Sequence, residues 1–184
     1  YRVAWLVERG IDPTRILLLT FTNRAAREML DRAQALVGDQ VGGLWGGTFH
    51  HMANRMLRRF ASALGYGNDY TILDQDDARS LVRSAADELD LVGKHFPKPD
   101  VLLSVFGLAY SREVPVLEIA HQRFDGHEIN VDDVARVATL YTQKKRDLNA
   151  MDFDDLLING LRLLREHPHI LEHYRERFQH ILVD

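Results

Sequence analysis

Two short stretches repeat one chemical pattern. Thr20-Phe21-Thr22-Asn23 and Thr48-Phe49-His50 each set Thr-Phe at the end of an extended segment, add polar side chains, and run into a helix bearing arginines. Rings beside hydroxyls and amides suit a single-stranded nucleic acid: its bases stack on exposed aromatics, at roughly 1–3 kcal/mol per base, and its phosphates accept hydrogen bonds. Taken singly, Phe21 and Phe49 read as core residues before ligand contacts, and it is their place at strand exits that favours the stacking role. Thr22, Asn23, Thr48 and His50 equally suit helix caps, and a capped N-terminus is itself an anion site, so the two roles are compatible.

Other polar groups have plainer alternatives. Asp152, Asp154 and Asp155 could pair around a metal, but Asp152 with Asp155 three residues on is a carboxylate form of the capping box. His169 and His173 have a zinc-compatible spacing with no further ligand pattern to join them. His50 and His51 are adjacent on a predicted helix and do not face each other. Lys144, Lys145 and Arg146 close another predicted helix, where they complement its dipole or meet a phosphate. Asp184 follows the aliphatic run Ile181-Leu182-Val183, the place where nucleotide-hydrolysing enzymes hold a magnesium-binding carboxylate.

These residues need a scaffold that sets them along one rim. Ile16 to Leu19 is an unbroken aliphatic run after the Asp12-Pro13 turn, as in a strand buried on both faces. From about Asn23 to Val37 apolar residues recur at helical spacing, with Thr22 or Asn23 as N-cap and Gly38 as terminator. Tyr1 to Arg9 reads as the tail of a helix ending at Gly10. Gly42 to Gly47 is too glycine-rich to assign firmly as a strand, but it leads into a helix with Phe49, Met52, Ala53, Met56, Leu57 and Phe60 on one stripe and Arg55, Arg58 and Arg59 largely off it. If both extended segments are parallel in one sheet, their exits share a rim, where ligands of open parallel sheets collect.

After Gly65-Tyr66-Gly67 the pattern turns helical. Tyr70 to Asp74 reads as a connector, Asp76 or Asp77 as the cap of a helix to about Leu89, and further helices are expected from Asp100, Pro115 and Asn130, with no strand pattern between. Residues 66–150 are therefore expected as a helical insertion between 1–65 and 151–184. The last part holds a helix to Pro168, a second carrying Ile170, Leu171, Tyr174 and Phe178, and a strand at Ile181 to Val183.

Composition narrows the class only modestly. Of 184 residues, 46% are hydrophobic and 27% charged, enough for a substantial core. The absence of cysteine excludes disulfides and thiolate metal sites and fits an intracellular compartment. No signal-like start or long apolar stretch argues for a membrane. A net charge of −4 leaves room only for local basic faces. Both ends read as cut.

In order and rough spacing, Leu19 to Met29, Gly47-Thr48-Phe49-His50, Met151-Asp152-Phe153-Asp154-Asp155-Leu156 and Ile181-Leu182-Val183-Asp184 resemble UvrD/Rep/PcrA-type superfamily 1 DNA helicases over essentially the whole chain. The resemblance implies an α/β fold: an incomplete RecA-like P-loop NTPase sheet with a mostly helical insertion. It implies that Phe21, Thr22, Asn23, Thr48, Phe49 and His50 touch single-stranded DNA. Asp184 matches the first acidic residue of Walker B, the catalytic and magnesium-binding carboxylate, and Lys144, Lys145 and Arg146 become candidate backbone contacts.

The implied parent is an ATP- and Mg2+-dependent 3′-to-5′ helicase of DNA repair or replication, cytoplasmic and nucleoid-associated, acting on single strands and single/double-strand junctions. The chain departs from the pattern in lacking the phosphate loop Gly-x-x-x-x-Gly-Lys-Ser/Thr and any glutamate after Asp184, so this stretch alone is expected to be inactive as an ATPase. Two alternatives stay open: a related helicase–nuclease, and a noncatalytic helical scaffold or adaptor on the same fold.

Overall fold

Every residue of Ile16–Thr20 (β1) is buried. A strand so apolar needs neighbours on both edges and cover on both faces. In the computed structural model, which describes residues 1–38, 42–91, 93 and 96–184, β1 pairs in parallel with Trp45–Thr48 (β2) on one side and His180–Val183 (β5) on the other. The expected α/β architecture with a short parallel sheet is therefore present.

Helices Arg2–Glu8 (α1) and Asn23–Val37 (α2) supply one covering layer, where Val3, Leu6, Val7 and Ala33 close over Ile16 and Leu18. On the other face, Phe49–Phe60 (α3) sets Met52 near Leu17 and Leu19, and Pro168–Arg177 (α9) brings Tyr174 against Trp45. The glycines that obscured β2 in the sequence are what let it pack. A Cβ on Gly46 would stand 2.6 Å from Leu30 of α2, and one on Gly47 would stand 2.9 Å from His51 of α3.

The chain forms two compact units: Tyr1–Leu64 with Asn159–Asp184, and Gly65–Ile158. The sheet and its layers belong to the first. In the second, Gln75–Glu88 (α4), Pro99–Arg112 (α5), Val116–Phe124 (α6) and Val131–Asp147 (α7) surround Val82, Phe106, Ile119, Val134, Val137 and Tyr141. Phe106 stacks on Tyr141, with centroids 6.1 Å apart.

Two details of the second unit depart from the sequence-based expectation. The N-cap of α4 is Asp74, in place of Asp76 or Asp77, because its carboxylate accepts from both of their amides while Asp77 reaches back to the Asp74 amide. Nor is the stretch free of strands: Thr71–Ile72 (β3) pairs in parallel with Ala150–Met151 (β4). A two-residue ladder leaves no alternating pattern to read. Its anchor is Asn149, at φ +48°, whose side-chain oxygen accepts from the Gly67 amide at 2.8 Å and whose carbonyl accepts from Thr71.

Candidate nucleic-acid interface

Parallel register determines the rim of the first unit. Thr20 pairs with Thr48 and Leu19 with Val183, so β1, β2 and β5 end side by side. The Asp184 amide donates to the Leu19 carbonyl at 3.0 Å, which places this exposed acid beside the exit of β1.

At that rim α3 follows β2 directly and α2 follows β1 after two intervening residues. The Thr22 hydroxyl accepts from the Ala25 amide at 3.1 Å and caps α2, leaving Asn23 as its exposed first residue. The Thr48 hydroxyl accepts from the His51 amide at 3.2 Å and caps α3. Two positive helix ends thus face the same edge, a setting that favours anions. Thr48 is buried, so its hydroxyl serves the cap, and Phe49 and His50 present the accessible surface there.

The aromatic pair is the least ordinary feature of this rim. Phe21 is 86% exposed and Phe49 37%, with ring centroids 6.4 Å apart and planes inclined at 65°. A phenylalanine so exposed contributes little to the core, which removes the core alternative for Phe21.

The basic end of α7 behaves differently from its sequence-based expectation. Lys145, a candidate backbone contact, is 1% exposed and points inward: its ammonium lies 2.6 Å from Asp152 and 2.6 Å from Asp155. Lys144 pairs with Glu88 at 2.6 Å, and Arg146 lies over the Tyr66 ring at 5.9 Å. Lys145 lies four residues after Tyr141 on the same buried stripe as Val134, Val137 and Ala138, a spacing that could have revealed it.

Its partners form the expected capping box of Phe153–Glu166 (α8). The Asp155 amide donates to Asp152 at 2.8 Å and the Asp152 amide to Asp155 at 2.9 Å. The Tyr141 hydroxyl donates to Asp152 at 2.7 Å. Burial opposes the charge on Asp152, yet the Lys145 ammonium and these hydrogen bonds hold its carboxyl below the usual carboxylate range. Burial, with the neighbouring Asp152 charge, raises Asp155 despite Lys145. The partner that these two carboxylates share is the Lys145 ammonium.

His169 stands edge-on to His167, while His173 faces Arg59 and Phe60, so the two rings have different neighbours. Among the described residues no group of three or more His, Asp or Glu could hold a metal ion. Of the expected nucleotide site the chain supplies Asp184 at the rim, and the phosphate-loop residues are not in this sequence, so the residues present do not by themselves fit ATP and Mg2+. Among the described residues no helix is long and apolar enough to cross a membrane.

Comparison with known proteins bears on the whole length. The model of the UvrD/REP helicase N-terminal domain matches residues 1–184. ATP-dependent DNA helicase PcrA of Staphylococcus aureus (strain Mu50 / ATCC 700699) is 35% identical over 188 residues, covering 100% of this chain and 25% of its own length. ATP-dependent DNA helicase UvrD1 of Mycobacterium leprae (strain TN) is 39% identical over 190 residues, covering 100% and 24%. The UvrD1 of Mycobacterium bovis (strain ATCC BAA-935 / AF2122/97) is 38% identical over 189 residues, with the same coverage. The chain spans about a quarter of the length of the curated relatives it matches.

Proposed function

The chain belongs to the UvrD/REP helicase N-terminal domain family, and on that premise we propose that its sheet rim grips single-stranded DNA for an intracellular, ATP-driven 3′-to-5′ helicase of repair or replication. Phe21 and Phe49 stack on bases, and Thr22, Asn23 and His50 with the two helix ends receive phosphates. Thr48 positions α3. The resemblance would give Asp184 the role of a nucleotide-site carboxylate, while the loop that would hold the triphosphate is no part of this sequence. Strands entering from a duplex junction reach the same rim.

The observation that carries this reading is Phe21, an 86% exposed ring at the exit of the central strand, edge-on to a second ring. The test is fluorescence anisotropy of a labelled single-stranded oligonucleotide at low salt. Binding is expected to be weak and to fall steeply with salt as counterions are released. Phe21→Ala with His50→Ala should lower affinity by about tenfold or more, from the loss of one stacking partner and one phosphate contact. Undetectable binding, or binding unchanged in that variant, overturns the assignment.

A further inference from the structure

On the α3 and α9 face of the first unit, three arginines converge on one aromatic cluster. The Arg55 guanidinium lies 3.5 Å from the Trp45 ring centroid and the Arg177 guanidinium 4.2 Å from it. Arg59 lies over Phe60 and meets His173 at 3.5 Å. Tyr174 stands among them, stacked on Phe178 and edge-on to Phe60.

No carboxylate pairs with Arg55, Arg59 or Arg177 among the described residues. Contrast Arg24, Arg79, Arg136 and Arg162, each held by an acid within 3.0 Å. Burial and the nearby Arg177 charge hold the Arg55 guanidinium below its ordinary value, against a smaller opposing effect of Tyr174, while it stays charged. The Arg177 Nε is buried without a hydrogen-bond partner. Stacking on Trp45 holds the Arg55 and Arg177 guanidiniums in place, but it gives neither charge a carboxylate partner.

We propose that Arg55, Arg59 and Arg177 form a phosphate-recognising surface that takes the sugar–phosphate backbone of the nucleic acid as it leaves the rim. Guanidinium forks match phosphate oxygens in pairs. What points to nucleic acid over an acidic protein is continuity: α3 begins at Phe49 and His50 on the rim, and at about 1.5 Å per residue Arg55 and Arg59 stand about 9 and 15 Å further along the same helix axis. The inference rests on the rim reading for its direction, though the two can fail separately.

Trp45 is the reporter. In a Trp5→Phe background of the full chain, Trp45 emission is followed during titration with a single-stranded oligonucleotide, a duplex of the same sequence, inorganic phosphate and polyglutamate, all at one ionic strength. Either nucleic acid should change the emission saturably. Arg55→Gln and Arg177→Gln should each weaken binding by about tenfold, as expected for a lost charged hydrogen bond. For single strands each should also reduce the slope of log K against log salt by about 0.7. Arg177→Lys, which retains charge and bulk, should fall between wild type and Gln and decides the matter if a Gln variant does not fold.

Trp45 emission that ignores both nucleic acids while anisotropy still reports Phe21-dependent binding overturns this surface and leaves the rim reading intact. A Trp45 response that survives with anisotropy insensitive to Phe21→Ala and His50→Ala supports this surface and removes the rim. Response to polyglutamate alone, or to inorganic phosphate alone, overturns the nucleic-acid assignment.

Discussion

Lys145 Nζ and Asp155 Oδ2 lie 2.6 Å apart inside the helical unit, and Asp155 in turn holds the Asp152 amide at the start of α8. One ammonium thereby ties the end of α7 to the first turn of the next helix. Removing it strands two carboxylates in a buried site, at an expected cost of about 3–5 kcal/mol. Lys145→Met should therefore lower the denaturant midpoint sharply. Adding Asp155→Asn, which can still cap, should recover part of that loss, and no recovery would show that the pair acts through packing alone.

The same network sets a pH dependence. Asp152 has a folded pKa below its unfolded value, so its contribution is present above the ordinary carboxylate range and is lost as pH falls through the folded pKa. Lys145 goes the other way. Burial lowers its pKa, but Asp155 and Asp152 raise it on balance, so its contribution is full below the ordinary lysine value and is lost as pH rises through the raised one. Protection factors in α7 and α8, taken relative to intrinsic exchange, should fall at both extremes, the acid side being softened by the raised Asp155 carboxyl and blunted further in Asp152→Asn.

Phe21→Ala should leave the unfolding free energy unchanged within about 0.5 kcal/mol, as for an exposed site away from the core, while weakening oligonucleotide binding. A large loss of stability measured by calorimetry would mean that the ring packs more than it stacks.

Gly46→Ala should be destabilising by about 1–3 kcal/mol, the ordinary cost of overpacking. Its methyl would enter the space of Leu30 at 2.6 Å. Leu30→Ala in the same chain should restore part of the loss in a urea melt, because the clash is between those two side chains.

Thr22→Ala removes the hydroxyl that accepts from the Ala25 amide. A lost N-cap costs about 1 kcal/mol. Exchange should rise in the first turn of α2, and oligonucleotide affinity should fall with it because that turn carries Asn23 on the rim.

Periodicity and caps made much of this protein legible. The Ile16 to Leu19 run, the Asp152 and Asp155 box, and the stripe of α3 each report on neighbours close in sequence, and the family blocks carried the α/β reading across the chain. Other features depend on partners far along it. Gly46 and Gly47 form a strand because β1 and the flanking helices complete it, and β3 exists through pairing with a strand 79 residues away. Phe21 and Phe49 are alike in sequence, and only their shared register at the rim exposed them together. Lys145 and Arg177 are two basic residues near helix ends. The tertiary structure made one the centre of a buried carboxylate pair and left the other against a tryptophan without an acid, because a charge is assigned by what the fold brings within a few ångströms of it.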